Sequence, residues 1–393
     1  MTCCRGGVNF IYRQAHCEFG RPKGRERLRI RQHDLKQIQY MDEIFLKEQK
    51  MSKRIAMFNH KGGVSKTTSV YNIGWMLSKR ANVLIVDADP QCNLSSLILG
   101  DTFEEYYIDA ATKEQNIKDG VKAAFEGKPS PISGINCFSP QRAPALHLLA
   151  GHANLSEYDA ALTFAQTSNN AIATLQNLPG AFSQLLKLTE HRYSIDYTLI
   201  DMNPSLSAIN QNLFVSSQAF IVPTNPDPFS LMAIDTLKSV LPRWSAWSRN
   251  SAQLFSTSAY PLPNYSPKFL GSLIQRFNIR KGKAARPYRD NIAEIKGAIS
   301  DTFFNSISKC GMVLDLNQYP NDLVQQQYCL SEIPDFQGLL PKAYEAGVPI
   351  FELTEAEINE TGPILDGLKT KRDVFKEQFT KLTDTLIVLL KYA

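Results

Sequence analysis

From residue 51 onward, short apolar runs alternate with longer stretches whose apolar residues recur every three or four positions. Residues 55–59 read as a strand, and 66–80 as a helix with Val70, Ile73, Gly74 and Leu77 on one face. Residues 83–87, Val-Leu-Ile-Val-Asp, are apolar almost throughout, as expected of a strand covered on both sides. Further strands are predicted at 197–201, 219–223 and 269–274. Strands interleaved with helices imply βαβ crossovers. The predicted fold class is therefore α/β, a mostly parallel twisted sheet with helices on both faces. Residues 101–150 and 241–265 are less periodic and richer in Pro, Ser and Gly, and read as insertions.

The first fifty residues differ from the rest. They carry 11 Lys and Arg against 6 Asp and Glu, whereas the two signs balance over 51–393. The whole net charge of +5 therefore sits in this segment, and only a local patch elsewhere can attract a polyanion. Residues 1–50 read either as a basic N-terminal arm or as upstream sequence ahead of a start at Met51; 34–50 have helical spacing in either case. Residues 51–393 form the main domain. With 43% hydrophobic and 21% charged residues, the 393-residue chain has a globular composition, not that of a disordered or rod-like one. No apolar run approaches the roughly 20 residues of a membrane-spanning helix, and the N-terminus has no secretory apolar region. Seven cysteines without C-x-x-C spacing point to neither a disulfide framework nor a zinc site; a cytoplasmic protein is expected.

The chemistry centres on His60-Lys61-Gly62-Gly63-Val64-Ser65-Lys66-Thr67-Thr68, between a predicted strand and a predicted helix. Glycines let successive backbone N–H groups converge on a phosphate, and the helix adds its positive N-terminal end. Lys66 supplies a point charge for the β- and γ-phosphates, and Thr67 a hydroxyl for Mg²⁺. The pattern departs from G-x-x-x-x-G-K-[ST], with His60 and Ser65 at the glycine positions. It fits x-K-G-G-x-x-K-[ST] and adds a second lysine, Lys61.

This loop resembles the deviant phosphate loop of the ParA/MinD family of ATPases. The likeness continues through Asp87-Ala88-Asp89-Pro90-Gln91-Cys92-Asn93, the strand ending in Asp201, the segment 223–230, and Ile333-Pro334-Asp335. It covers about residues 51–391 in order and is closest to ParA/Soj-type partition ATPases. It implies ATP and Mg²⁺ as cofactors, with Asp201 and Thr67 on the metal, Asp87 organising metal and loop, and Asp89 polarising the attacking water. It implies that Lys61 reaches the nucleotide of the opposite subunit in an ATP-dependent homodimer. By position, Gln275, Pro334 and Asp335 line the base. Ser65 replaces the usual glycine, where a Cβ changes the loop torsion; hydrolysis is expected to survive, slowly.

The resemblance implies binding to a surface, nonspecific DNA in ParA-like relatives or the membrane in MinD-like ones, to segregate or position plasmid, chromosome or other cargo, with hydrolysis stimulated by a ParB-like or other partner. Arg276, Arg280, Lys281, Lys283, Arg286 and Arg289 fall within fourteen residues that hold no acid. The run reads either as a DNA-contacting surface or as a solvated loop. Val374, Phe375, Phe379, Leu382 and 386–390 suit a last helix packed on the sheet, so stable membrane association is not expected. A nucleotide-gated scaffold that turns over little is the other class left open.

Overall fold

The computed structural model describes residues 51–168, 175–280 and 283–393; the N-terminal extension 1–50 and Lys281 lie outside them. The strands are β1 (Lys53–Met57), β2 (Val83–Ala88), β3 (Leu146–Leu149), β4 (Tyr197–Met202), β5 (Ala219–Thr224), β6 (Lys268–Gln275), β7 (Ile279–Arg280), β8 (Lys283–Ala284) and β9 (Cys329–Ile333). Seven of them form one sheet in the order β3-β2-β4-β1-β5-β6-β9. Every pairing in it is parallel. β7 and β8 form a separate antiparallel hairpin.

The helices that matter here are α1 (Lys66–Ser78), α2 (Asn93–Leu99), α3 (Pro228–Leu254), α4 (Arg286–Gly297), α5 (Leu339–Glu345) and α6 (Gly362–Leu389). The central strands are largely apolar because both faces are covered; β2 and β5 are buried at every position. From β1 the chain crosses to β2 on one side, and from β4 it passes to β5 on the other. Such a reversal of strand order opens a crevice at the carboxyl ends of the strands, where open α/β sheets bind ligands.

The two segments read as insertions carry regular structure. Residues 241–254 continue α3 straight through Pro242. An interior proline costs a helix roughly 3 kcal/mol, but burial of Val240, Leu241 and Trp244 opposes it. The Trp244 ring packs 5.3 Å from Phe58 and 5.8 Å from Phe214, centroid to centroid. Within 101–150, the chain contains the helix Ile117–Phe125 and the sheet's edge strand β3. The buried stripe of α6 runs through Phe375, Phe379, Leu382, Leu386 and Leu389, whereas Val374 is 58% exposed and faces away.

Candidate functional site

The phosphate loop joins β1 to α1 at the carboxyl end of the sheet. Asn59 shapes its start. The Asn59 side chain accepts from the Lys61 N–H at 3.0 Å and donates to the Pro223 carbonyl at 2.8 Å. Gly63 turns the loop with φ +71° and has open space around it. Ser65 then adopts φ 59°, ψ 34°, the left-handed conformation, as the residue capping α1. That torsion is the physical reason a glycine suits this position. Its side chain makes no capping bond, so Ser65→Gly is expected to stabilise the fold by about 1 kcal/mol, read from chemical denaturation. A loss of stability instead would show that the hydroxyl contributes something the torsional strain hides.

Lys66 lies across the loop. Its amine is largely buried and donates to the carbonyls of Asn59 (2.9 Å) and Lys61 (3.1 Å). Burial lowers its pKa to about 8, against the pull of Asp201 and Asp89. Asp201, at the C-terminal end of β4, is 1% exposed. Neither of its carboxylate oxygens makes a well-formed hydrogen bond. Burial, reinforced by Asp87, raises its pKa well above the carboxylate range, with Thr67 and Lys66 countering. An orphaned buried carboxylate beside a threonine hydroxyl and a lysine is a donor set that fits a hard divalent cation.

Asp87 has a different task. Its Oδ2 accepts from the Ser95 N–H (2.8 Å) and hydroxyl (2.7 Å), and its Oδ1 from the Asp89 N–H (3.2 Å). Those bonds oppose a burial effect that still pushes its pKa up to about 6. With both oxygens engaged, Asp87 fits the role of loop organiser better than that of metal ligand. Gly151 makes this packing possible, since a Cβ there would stand 2.9 Å from the Asp87 carboxyl carbon. Asp89 lines the cleft and is oriented by the Gln91 N–H at 2.9 Å.

The cleft has a volume of about 880 Å³. It runs from the loop along α1 to the ends of β6 and β9, and includes Thr68, Pro334 and Asp335. Three side chains depart from expectation. Gln275 is a brace and not a free base contact: its amide donates to Ser69 Oγ (2.8 Å) and the Val64 carbonyl (3.3 Å). Arg276 is exposed and also belongs to the cleft. It donates to the Gly63 carbonyl at 3.2 Å and lines the cavity. Lys61, which the resemblance sends to a partner subunit, is held within its own chain by an ion pair with Asp227 and a 3.0 Å bond to Ser230 Oγ.

Sequence reasoning assigned no role to Asn59, Asn225 or Asp227. The one available signal was the polar Thr224-Asn225-Pro226-Asp227 run closing β5. Of the remaining basic run, Arg280 and Lys283 are on the hairpin, and Arg286 and Arg289 are exposed at the start of α4.

A family described as an AAA domain matches residues 52–251, just over half of the sequence. The chain belongs to this ParA/MinD-like family. An uncharacterized protein of Methanocaldococcus jannaschii, MJECL24, is 32% identical over 194 residues, which is 47% of this chain and 65% of that protein. The chromosome-partitioning ATPase Soj of Thermus thermophilus is 28% identical over 195 residues, 48% of this chain and 61% of Soj. The chain thus spans between half and two thirds of the length of the curated relatives it matches. A Cyanothece McdA–ATP complex shares the fold with a TM-score of 0.51 at 16% identity, over 81% of this chain and 96% of that one.

Proposed function

We propose that the protein is a partition-type ATPase that binds ATP with Mg²⁺ in the cleft and pairs with a second copy across it. The observation that carries this reading is the orphaned Asp201 carboxylate, buried between Thr67 and the Lys66 amine at the mouth of an amide-lined loop. Thr67 and Asp201 would hold the metal, which would supply positive charge against the phosphates. The loop amides and Lys66 grip the phosphates. Asp89 orients a water whose oxygen bonds to the γ-phosphorus as the bond to the bridging oxygen breaks, giving ADP and phosphate. Pro334 and Asp335 flank the base.

Lys61 stands beside an exposed apolar face. Phe229 and Met232, within the first two turns of α3 next to Asp227, are 69% and 67% exposed, and Leu206 after β4 is 45% exposed. Such a face around a phosphate site supports docking of a second copy. Lys61 then exchanges Asp227 for the partner's phosphates, where a cation stabilises the charge of phosphoryl transfer. A stimulating partner protein acts on this dimer.

Arg280, Lys283, Arg286 and Arg289 are the proposed contacts for nonspecific DNA, with Lys281 between them in sequence. The test is fluorescence anisotropy on duplex DNA of unrelated sequences with ATP present. Changing Arg286 and Arg289 to alanine is expected to weaken binding uniformly and to reduce the salt slope by roughly 1 for each phosphate left without its cation. An unchanged slope would exclude this surface and favour the nucleotide-gated scaffold.

A further inference from the structure

The carbonyl of Gly63 accepts two side-chain hydrogen bonds. One comes from Asn225 Nδ2 at 2.9 Å, just past β5; the other comes from Arg276 Nη1 at 3.2 Å, just past β6. Gly63 is the loop residue with the most freedom, having positive φ and no atom within 4 Å of where a Cβ would stand. The peptide that follows it is planar and trans, so its C=O and the Val64 N–H point in opposite directions. Rotating that peptide would turn the carbonyl toward the phosphates and withdraw an amide donor, which an anion site cannot tolerate.

Arg276 takes up its place at a conformational cost. Its φ is +62°, a torsion unfavourable for a side-chain-bearing residue. The Arg276 N–H is fixed by the Ile333 carbonyl at 3.1 Å, the last rung toward β9. Asn225 is likewise anchored, its N–H donating to Ser230 Oγ at 3.3 Å. Strain of this kind persists where surrounding structure enforces it, commonly at functional sites.

We infer that Asn225 and Arg276 are positioning residues that together clamp the Gly63 carbonyl outward and so hold the Val64 amide toward the phosphates. The inference rests on the nucleotide-binding reading above. Either donor alone keeps most molecules in the competent peptide orientation, and only loss of both lets the incompetent one dominate. Apparent affinity then falls by the competent fraction.

The experiment measures affinity for fluorescent ATP and ADP together with the melting temperature of the nucleotide-free protein. Asn225→Ala and Arg276→Ala are each expected to weaken binding by no more than about threefold, and the double variant by about tenfold or more, equally for both nucleotides. Arg276→Lys in the Asn225→Ala background should remain within about threefold of Asn225→Ala, because one donor suffices. The nucleotide-free melting temperature should stay unchanged throughout. A double variant that binds like wild type overturns the clamp while leaving the reading of the cleft intact. So does a loss confined to ATP, or one that tracks a falling melting temperature. Wild-type protein that binds neither nucleotide would overturn that reading, and the clamp with it.

Discussion

Replacing Lys66 with alanine is expected to weaken ATP binding by about 100-fold or more, since charge-assisted contacts to phosphate in a partly buried site are among the strongest available. The fold should survive. The amine's partners are two backbone carbonyls, those of Asn59 and Lys61, so the alanine removes two hydrogen bonds and leaves the sheet and its packing untouched. The wild-type protein carries a related signature in its pH dependence. Burial leaves the Lys66 amine with a pKa of about 8. Its cationic form therefore prevails below that pH and is lost above it. ATP affinity should hold steady from pH 6 to 7 and decline above 8, approaching about tenfold per unit. The Lys66→Ala variant should lack this decline. Titration calorimetry across the range checks both; an alanine variant with wild-type affinity would remove Lys66 from the site.

The second large effect concerns Asp201 and has opposite signs in stability and in binding. Asp201→Asn removes a buried carboxylate that has no well-formed hydrogen bond and faces Asp87. Exchanging such a charge for a neutral isostere is expected to stabilise the nucleotide-free protein at neutral pH by roughly 1–3 kcal/mol, or a few °C. The sign follows from linkage. A carboxyl whose folded pKa is raised binds more protons folded than unfolded. Its penalty is therefore absent below the unfolded value and grows as pH rises toward the folded one. The variant's advantage should thus vanish near pH 4 and widen toward pH 8. The same variant should lose the Mg²⁺-dependent part of ATP binding, because an amide is a weaker ligand for a hard cation than a carboxylate. Thermal melts at several pH values with and without ATP and Mg²⁺ read both effects. A variant less stable than wild type at pH 8 would mean that the carboxylate is satisfied in the folded state after all.

The five inner strands of the sheet were legible because they are covered on both faces, whereas the edge strands β3 and β9 are only partly buried and were not predicted from periodicity. β2 and β4 appear in the sequence as apolar runs each closing on or next to an aspartate, and the structure moves their ends by a single residue. The loop was legible because glycines and lysines are needed there at fixed spacing. Side-chain partnerships across strands were not. Lys61 and Asp227 are 166 positions apart, and nothing local ties them together. Arg276 was grouped with the basic run by adjacency alone; a left-handed residue at the end of β6 aims it into the cleft as well. Residues 241–265 read as an insertion from their Pro and Ser content, but the burial of Trp244 keeps α3 continuous to Leu254. Ser65 was recognised as unusual from sequence, and its positive φ supplies the reason.

Lys61 offers the sharpest test, because the proposed pairing of two copies requires its cis contact with Asp227 to be exchanged for one in trans. Light scattering on the Asp89→Ala variant, expected to bind ATP without hydrolysing it, should show the mass double with ATP and Mg²⁺ and remain that of one chain with ADP. Adding Lys61→Ala should return the ATP-bound species to one chain while leaving nucleotide bound. A doubled mass that persists without Lys61, or no doubling with ATP at all, would contradict the pairing of two copies through their phosphate loops.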